Sequence, residues 1–457
     1  MFVIECPFNQ VAPRRWILEC LLQRFGLPLS IRPSERMDWR LSVEGQPGSI
    51  TMPDLCLAAE SERPAAPADP TPWVRFMLGA EELRVPVLFG RAEPEFQLQV
   101  APGSDVALPL DIPGAAFWLM ARIEERGTVP RDVHERFSAF SAHAWRNNYL
   151  MIPVVDEYLR LLRWLASQVW PGLSLAPVGS LSLFLTHDVD DPYVYRYMPF
   201  LKAAKLLAAN AVKQRSLVQG MSWMLGLGAS RAKFQLKDPC DTFDWIMTQS
   251  ERASIASAFY FIASDQSCAL DANYDVADAP VTALLRQMHQ RGHEIGIHPG
   301  YECFRRPELI KEQVNRLRAG MSLAGINDVE LGGRMHYLRW DQGVTPMALA
   351  EAGLRYDSTL GYADHPGFRC GTCHPFPYFD IEQGVATNLL IRPLVAMECT
   401  VLAKRYMGLG ATPAAFEVFA GLKQACRRVG GEFSLLWHNS FLFSDAEREL
   451  YRAIIDA

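Results

Sequence analysis

The chain has 457 residues, more than one hydrophobic core usually organises, so its length favours two domains. Hydrophobic residues make up 49% and charged residues 21%, the composition of an ordinary globular protein. The net charge of -6 gives no sign of a nucleic-acid partner or of an anionic membrane surface.

Targeting features are not apparent in the sequence. No run of eighteen or more apolar residues occurs, so we expect no transmembrane segment. The first stretch, MFVIECPFNQVAPRRW, lacks the basic start and long apolar run of a secretory signal. The ten cysteines have no framework spacing, which favours a reducing compartment. These features together predict a cytoplasmic protein.

Residues 1–175 are predicted to form an N-terminal α/β domain of unknown role. RRWILECLLQRFG indicates a helix that ends at Gly26. Short strands are predicted at WRLSVEG, SITMPDLCLAA, WVRFML and LRVPVLFG, with a Pro/Ala-rich loop at 61–72. The stretch 154–170 has apolar residues at helical spacing and ends at a Pro-Gly pair, so it is a candidate hinge.

Residues 176–457 show a different pattern, in which short apolar strands alternate with helices. The predicted strands are LSLFLTHD, SAFYFIASD, HEIGIH, VELGGR and FSLLWHN. This alternation predicts a parallel sheet or barrel. His, Asp or Arg stands at or next to the end of each strand, where α/β barrels place their active sites. The segment 201–236 is predicted to be a helical insertion packed on the domain; a lid, or a surface for a lipid-linked substrate, is the alternative.

The stretch LFLTHDVDDP places several carboxylates at the end of a buried strand. In an extended strand Asp188 and Asp190 share one face, and His187 lies on the other. Two close carboxylates repel unless a cation lies between them, so the pair suits one metal ligand and one base. The alternative is an acidic turn ended by Pro192.

Histidines and an arginine end the other strands. In RGHEIGIHPGYE, His298 at the strand end is the better candidate ligand, whereas His293 faces away and is predicted to be structural. In GGRMHYLRW, Arg334 and His336 share one face if the chain is extended; Arg334 could orient a carboxylate and His336 could bind a metal. The alternative is a surface strand end. His438, in LLWHNS, is placed as a general acid, or is a core histidine.

A C-x-x-C spacing occurs in GFRCGTCHPFPYF and is followed directly by His374. One such pair is a weak indication of zinc or redox chemistry, and no second pair completes a zinc site. We therefore predict that this stretch shapes a loop, with metal or redox chemistry as the alternative.

These motifs, in this order, resemble the polysaccharide deacetylase family (the NodB-homology domain, carbohydrate esterase family 4), and specifically a divergent subgroup linked to bacterial surface-polysaccharide biosynthesis. The resemblance covers about 180–445. It implies a distorted (β/α)7 barrel. Residues 1–175 have no counterpart in the minimal family domain and are predicted to be an additional N-terminal α/β domain. The resemblance also implies that Asp188 is the base, that Asp190 and His298 are metal ligands, and that Arg334 orients Asp188. In this resemblance His438 is the catalytic acid.

One position departs from the family pattern. The second ligand histidine is expected four residues after His298, where this chain has Glu302. Glu302 could supply an oxygen, His336 could replace the imidazole, or the metal site could be lost.

The resemblance implies a divalent metal, zinc by default, and a hydrolase that removes N-acetyl groups from an amino sugar or a polysaccharide precursor. The expected partners are an N-acetylated sugar or oligosaccharide and polysaccharide biosynthesis proteins. The alternatives are hydrolysis of another C–N bond, or a non-catalytic carbohydrate-binding or scaffold protein.

Overall fold

The computed structural model describes residues 1–58, 64–92, 98, 100–213, 217–231 and 238–457. Residues 61–63 of the predicted loop, and residues 214–216 and 232–236 of the predicted helical segment, lie outside the described residues.

The elements are numbered in chain order. Strands β1 to β8 are Phe2–Pro7, Leu29–Ser34, Asp38–Val43, Ser49–Pro53, Trp73–Leu78, Glu81–Pro86, Asp105–Ala107 and Ser182–Val189. Strands β9 to β16 are Ala258–Phe261, Glu294–Ile297, Leu331–Gly333, Leu354–Asp357, Phe376–Asp380, Val385–Ile391, Ala396–Met397 and Glu432–Leu436. Helices α1 to α7 are Val11–Leu22, Ile112–Met120, His143–Arg146, Val154–Val169, Val194–Tyr197, Phe200–Lys213 and Leu217–Arg231. Helices α8 to α14 are Phe243–Arg252, Ala279–Gln290, Pro307–Leu323, Thr345–Glu351, Glu398–Leu402, Pro413–Arg428 and Asp445–Asp456. None of the described helices has the length and apolar character needed to cross a bilayer.

Contacts between Cα atoms divide the chain into two units. Unit 1 consists of Met1–Ser182, Gly367–Pro393 and Gln424–Glu432, and unit 2 of Leu183–Pro366, Leu394–Lys423 and Phe433–Ala457. Unit 1 therefore includes two segments that are distant in sequence from its N-terminal part. The division into domains 1–175 and 176–457 stays a prediction.

Unit 1 contains a mixed sheet with the strand order β2-β1-β3-β4-β7. Alternate residues of β3 are buried, among them Trp39 and Leu41, as expected for a strand with one face on a core. The predicted helix at RRWILECLLQRFG is confirmed as α1 and a 3-10 turn that ends at Gly26, whose φ of 75° suits glycine. The hairpins β5–β6 and β13–β14 also belong to this unit.

Unit 2 is built on parallel strands. Neighbouring strands pair in parallel along β8, β9, β10, β11 and β12, and β15 pairs in parallel with β16. The five strands predicted in the second half are found as β8, β9, β10, β11 and β16, so the predicted parallel sheet is confirmed. Burial on both faces explains why they read as continuous apolar runs: β9, for example, is buried at every residue.

The parallel sheet is tightly packed where β11 meets β12. A Cβ atom added to Gly332 would lie 1.9 Å from the ring of Tyr356, so only glycine fits there. We expect Gly332→Ala to lower the free energy of unfolding by about 1–3 kcal/mol, because the ring must shift in a packed core. Urea unfolding measures this change.

The matched control is Gly421→Ala, in the exposed part of α13, where an added Cβ meets nothing within 4 Å. This substitution should raise the free energy of unfolding by up to about 1 kcal/mol through helix propensity. Equal effects of the two substitutions would contradict the packing explanation.

Candidate functional site

One edge of the parallel sheet in unit 2 collects the polar side chains predicted from the sequence. Parallel strands present their carboxyl ends at the same edge, so residues that end different strands become neighbours. Asp188 lies near the end of β8, and the other predicted residues follow the ends of β8, β10, β11 and β16: Asp190, His298, Arg334, His336 and His438.

Asp188 is fixed by a buried arginine. Arg334 Nη1 donates to Asp188 Oδ1 over 2.8 Å, and Nη2 donates to Thr186 Oγ1 and Ser358 Oγ over 2.9 and 3.0 Å. Its Nε donates to the Ser358 carbonyl over 2.8 Å, so the guanidinium is held from three sides. Burial raises the pKa of Asp188, but the nearby His298 and Arg334 outweigh burial and lower it below the usual range. Asp188 is therefore a positioned carboxylate that is ionised at neutral pH.

Asp190, His298 and His336 form a group with the geometry of a metal site. Each offers one ligand atom, and these atoms lie within 4.8 Å of one another. Asp190 Oδ1 lies 3.5 Å from His298 Nε2 and 3.7 Å from His336 Nε2. This oxygen is buried and has no hydrogen-bond partner in the described part of the chain. A buried carboxylate oxygen without a donor is costly, and a cation between the three groups would satisfy it.

The two histidines turn their Nε2 atoms toward Asp190 because their Nδ1 atoms are occupied. His298 Nδ1 donates to the Arg334 carbonyl over 2.5 Å, and His336 Nδ1 contacts Asp271 Oδ1 over 2.8 Å. A carbonyl only accepts, so Nδ1 of His298 carries a proton and Nε2 of the neutral ring has a free lone pair. Asp271 also accepts from the Tyr301 N–H over 2.6 Å. Outer partners of this kind orient metal-binding histidines.

Electrostatics at these residues favours a positive charge. Burial lowers the pKa of His298, but Asp188 and Asp190 outweigh burial and raise it. Burial raises the pKa of Asp190, but His336, His298 and His438 lower it well below the usual range. The carboxylates and the imidazoles of this group therefore stabilise each other's charged forms.

His336 reaches the group from a turn. Strand β11 ends at Gly333, and His336 begins a 3-10 turn in which Tyr337 has a φ of 61°. The extended geometry predicted for Arg334 and His336 therefore does not continue, because the backbone leaves the sheet between them. The two side chains nevertheless reach neighbouring carboxylates, Asp188 and Asp190.

Glu302 does not belong to this group. It lies in the 3-10 turn Tyr301–Cys303, its side chain is exposed, and Oε1 accepts from Cys268 Sγ over 3.6 Å. His336, rather than Glu302, is the third potential ligand beside Asp190 and His298.

His438 follows β16, the neighbour of β8 in the sheet, and faces the same carboxylate. Its Nδ1 donates to Glu398 Oε1 over 2.5 Å, and its Nε2 lies 3.8 Å from Asp190 Oδ2. Burial lowers the pKa of His438, but the carboxylate of the fully buried Glu398 dominates and raises it to about 10. His438 is therefore protonated at neutral pH, and its Nε2 faces Asp190.

Two residues of the site, Glu398 and Asp271, were not predicted from the sequence. Glu398 directly follows β15, so the strand-end rule that selected His438 could have selected it. That strand has only two residues, too few for a periodic pattern. Asp271 lies in the connection between β9 and α9, where no pattern indicates which side chain turns inward.

Two other histidines lie outside the site, as predicted. His187 is buried, with Nδ1 2.6 Å from the Trp437 carbonyl and its ring stacked on Phe259. His293 accepts from the Ser257 N–H over 3.1 Å. Both histidines therefore hold the backbone of neighbouring elements.

The C-x-x-C stretch contributes one cysteine to a second group, which lies in unit 1. Asp156, Cys373 and His374 offer ligand atoms within 4.8 Å of one another. Here, however, the Asp156 carboxylate already accepts from Arg24 Nη1 and Thr372 Oγ1, each over 2.8 Å, and from the Cys373 N–H. The arginine charge opposes a cation, so this group supports the prediction of a shaped loop.

A family model matches part of unit 1. It is described as a family of unknown function (DUF7033) and matches residues 49–171, which lie outside the site of unit 2. No curated protein matches the chain.

Solved structures similar to the chain include two candidate polysaccharide deacetylases and an allantoinase. The deacetylase from Mycobacterium smegmatis has a TM-score of 0.40 and 18% identity, over 62% of this chain and 85% of that one. Puue allantoinase has a TM-score of 0.38 and 13% identity, over 63% and 85%. The deacetylase from Pseudomonas aeruginosa PAO1 has a TM-score of 0.38 and 16% identity, over 63% and 86%.

Proposed function

We propose that this protein is a metal-dependent hydrolase that removes an N-acetyl group from an amino sugar or a polysaccharide precursor. The observation that carries the proposal is that an arginine-bound carboxylate and a glutamate-bound histidine flank a group of three potential metal ligands. Asp188 Oδ2 lies 3.5 Å from His298 Nε2, and His438 Nε2 lies 3.8 Å from Asp190 Oδ2. Amide hydrolysis needs these three parts: a base, an acid and an electrophile.

In this proposal Asp190, His298 and His336 hold the metal. One carboxylate and two imidazoles suit zinc, which in catalytic sites takes three protein ligands and leaves a position open. The buried Asp190 oxygen, which has no hydrogen-bond partner among the described residues, supports this assignment. When bound, the metal supplies Lewis acidity: it polarises a carbonyl and lowers the pKa of water.

Asp188 is the proposed base. It accepts a proton from the water that attacks the acetyl carbon. Arg334 keeps the carboxylate ionised and turns Oδ2 toward the ligand group, because Oδ1 is occupied by Nη1. Arg334 thus positions the base without exchanging a proton itself.

His438 is the proposed acid. Its Nε2 proton passes to the amide nitrogen as the C–N bond breaks, so that the products are acetate and the free amine. The Glu398 carboxylate stabilises the imidazolium and fixes the ring through Nδ1. The site thus contains two ion pairs, His438–Glu398 and Arg334–Asp188. Burying such pairs is costly and a non-catalytic scaffold does not need them, so they favour an enzyme.

The sugar substrate rests on the motif resemblance of THDVD, GHEIGIH, GGR and LWHN to polysaccharide deacetylases. We include in the proposal the finer features that the sequence pattern and this resemblance predict. They are a distorted (β/α)7 barrel over 176–457 with an N-terminal domain over 1–175, a cytoplasmic location, and a role beside polysaccharide biosynthesis proteins.

Metal binding is the first test. We expect the metal-stripped protein to bind one zinc ion per chain in a calorimetric titration, and His336→Ala to abolish this binding. Asp271→Asn should weaken affinity about 10–100-fold, because Asp271 orients His336. His289→Ala, an exposed histidine in α9, is the matched control and should bind as the parent does. If Glu302→Gln loses zinc and His336→Ala retains it, the proposed ligand set is wrong.

Hydrolysis by Asp188 is the second test. Acetate release is measured from N-acetylglucosamine, its oligomers and its nucleotide-linked form with zinc-loaded protein. Asp188→Asn should lower kcat about 10²–10⁴-fold and leave the zinc content unchanged, because Asp188 is a base and no ligand. The matched control Asp328→Asn changes an exposed aspartate at a φ of 55°, which asparagine also adopts, and should have no effect. If the zinc-loaded protein releases no acetate from any of these sugars, the proposed deacetylase activity is wrong.

The acid and its partner give a third test. We expect His438→Ala to lower kcat about 10²–10⁴-fold, and Glu398→Gln to lower it less while KM is unchanged, because the imidazole remains but loses its charged partner. Steady-state kinetics measures kcat and KM of the two variants with the sugar from which the parent protein releases acetate. A Glu398→Gln effect confined to KM would show that Glu398 acts in binding instead.

A further inference from the structure

The segment that leaves the site after β8 has an unusual charge. Between Pro192 and Lys237 the sequence has eight Lys and Arg residues and no Asp or Glu, whereas the whole chain has 45 basic and 51 acidic residues. Among the described side chains of this segment, Arg196, Lys202 and Lys205 are exposed, and none forms an ion pair within the part of the chain that the structure describes. The charge of the whole chain therefore conceals a local basic surface.

Helix α6 exposes apolar side chains on the face that carries these lysines. Leu201 is 73% exposed and Val212 is 78% exposed. With Lys205 they occupy positions i, i+4 and i+11, which lie on one side of a helix. The opposite side, with Ala203 and Leu207, is fully buried.

Helix α7 repeats this arrangement. Val218, Met221 and Leu225 lie at i, i+3 and i+7 and are 81%, 67% and 70% exposed. Trp223 and Leu227, on the other side, are buried in the same core cluster as Ala203 and Leu207 of α6. The hairpin formed by α6 and α7 therefore packs on unit 2 through one face and leaves an apolar face uncovered.

The hairpin is anchored at the rim of the site. The Asp238 carboxylate accepts from the N–H groups of Val194 and Tyr195 before α6, and from that of Cys240 after α7. Asn439, which directly follows His438 in the sequence, donates from Nδ2 to the carbonyls of Asp191 and Cys240. Both ends of the segment are thus fixed beside the proposed acid.

We propose that the hairpin formed by α6 and α7 binds the surface of an anionic lipid bilayer. Exposed leucine, valine and methionine beside lysines, without any acidic residue, match the apolar boundary and negative headgroups of such a surface. Helices of 14 and 15 residues are too short to span it, so they lie on it. A protein partner would need complementary acidic groups around this patch, whereas anionic lipids supply charge at every position. The bilayer would lie beside the mouth of the site.

Vesicle flotation tests this proposal with the full-length protein. We expect binding to vesicles of phosphatidylglycerol and phosphatidylcholine to be at least about tenfold stronger than to phosphatidylcholine alone, and to weaken with salt. The double variant Leu201→Ser, Leu225→Ser should lose binding because these exposed side chains would enter the lipid. Lys202→Gln and Lys205→Gln should each weaken binding about fivefold.

The controls match each change in chemistry. Leu323→Ser removes an exposed leucine at the end of α10, and Lys311→Gln removes an exposed lysine of the same helix. Both variants should bind vesicles as the parent does. All substituted side chains are exposed, and unchanged urea midpoints confirm that the variants fold. Equal binding to both vesicle types, or none, overturns the proposal. So does self-association in sedimentation that Leu201→Ser, Leu225→Ser removes in the absence of lipid.

Discussion

The site depends on the compensation of two carboxylates that end one strand. Asp188 is buried near the end of β8 and Asp190, directly after the strand, is half-buried, so the two like charges repel. Arg334 neutralises the first through a fixed guanidinium, and His298 lies 3.5 Å from both. Among the residues that the structure describes, one oxygen of Asp190 nevertheless has no hydrogen-bond partner. The surrounding charges therefore stabilise both carboxylates, and the Asp190 oxygen without a donor is the physical reason for expecting a cation there.

The sequence predicted the site better than its surroundings. Strand ends could be recognised because β8, β10 and β16 are apolar, buried runs with Asp or His at or just after their ends. Parallel pairing brings these ends together independently of the conformation of the connecting loops. Glu398 and Asp271 could not be recognised, because each depends on where a very short strand or an irregular connection places one side chain. The sequence also could not show that Gly367–Pro393 and Gln424–Glu432 belong to unit 1. Composition and periodicity describe neighbouring residues, whereas this assignment depends on contacts between residues that are far apart in the sequence.

Local and total charge lead to different conclusions about partners. The net charge of -6 gives no indication that the protein binds an anionic membrane surface. Net charge supports such a conclusion only when the charged residues are distributed evenly along the chain. The 46 residues from Pro192 to Lys237 break that assumption, since all their charged groups are basic. Residues 201–236 within this stretch are predicted to be a packed helical insertion, and α6 and α7 do pack through Ala203, Leu207, Trp223 and Leu227. An amphipathic helix needs only one buried face, so packing on one side does not explain the apolar residues on the other.

The two histidines proposed as metal ligands follow different strands of the parallel sheet. Two ligands four residues apart would depend on one loop, whereas His298 and His336 depend on separate strands, β10 and β11. The link between them is direct: His298 Nδ1 donates to the carbonyl of Arg334, two residues before His336. The same arginine holds Asp188 with its side chain. A shift of β11 would therefore disturb the base, one ligand and the orientation of the other together, so ligand binding and base positioning are coupled through the backbone at Arg334.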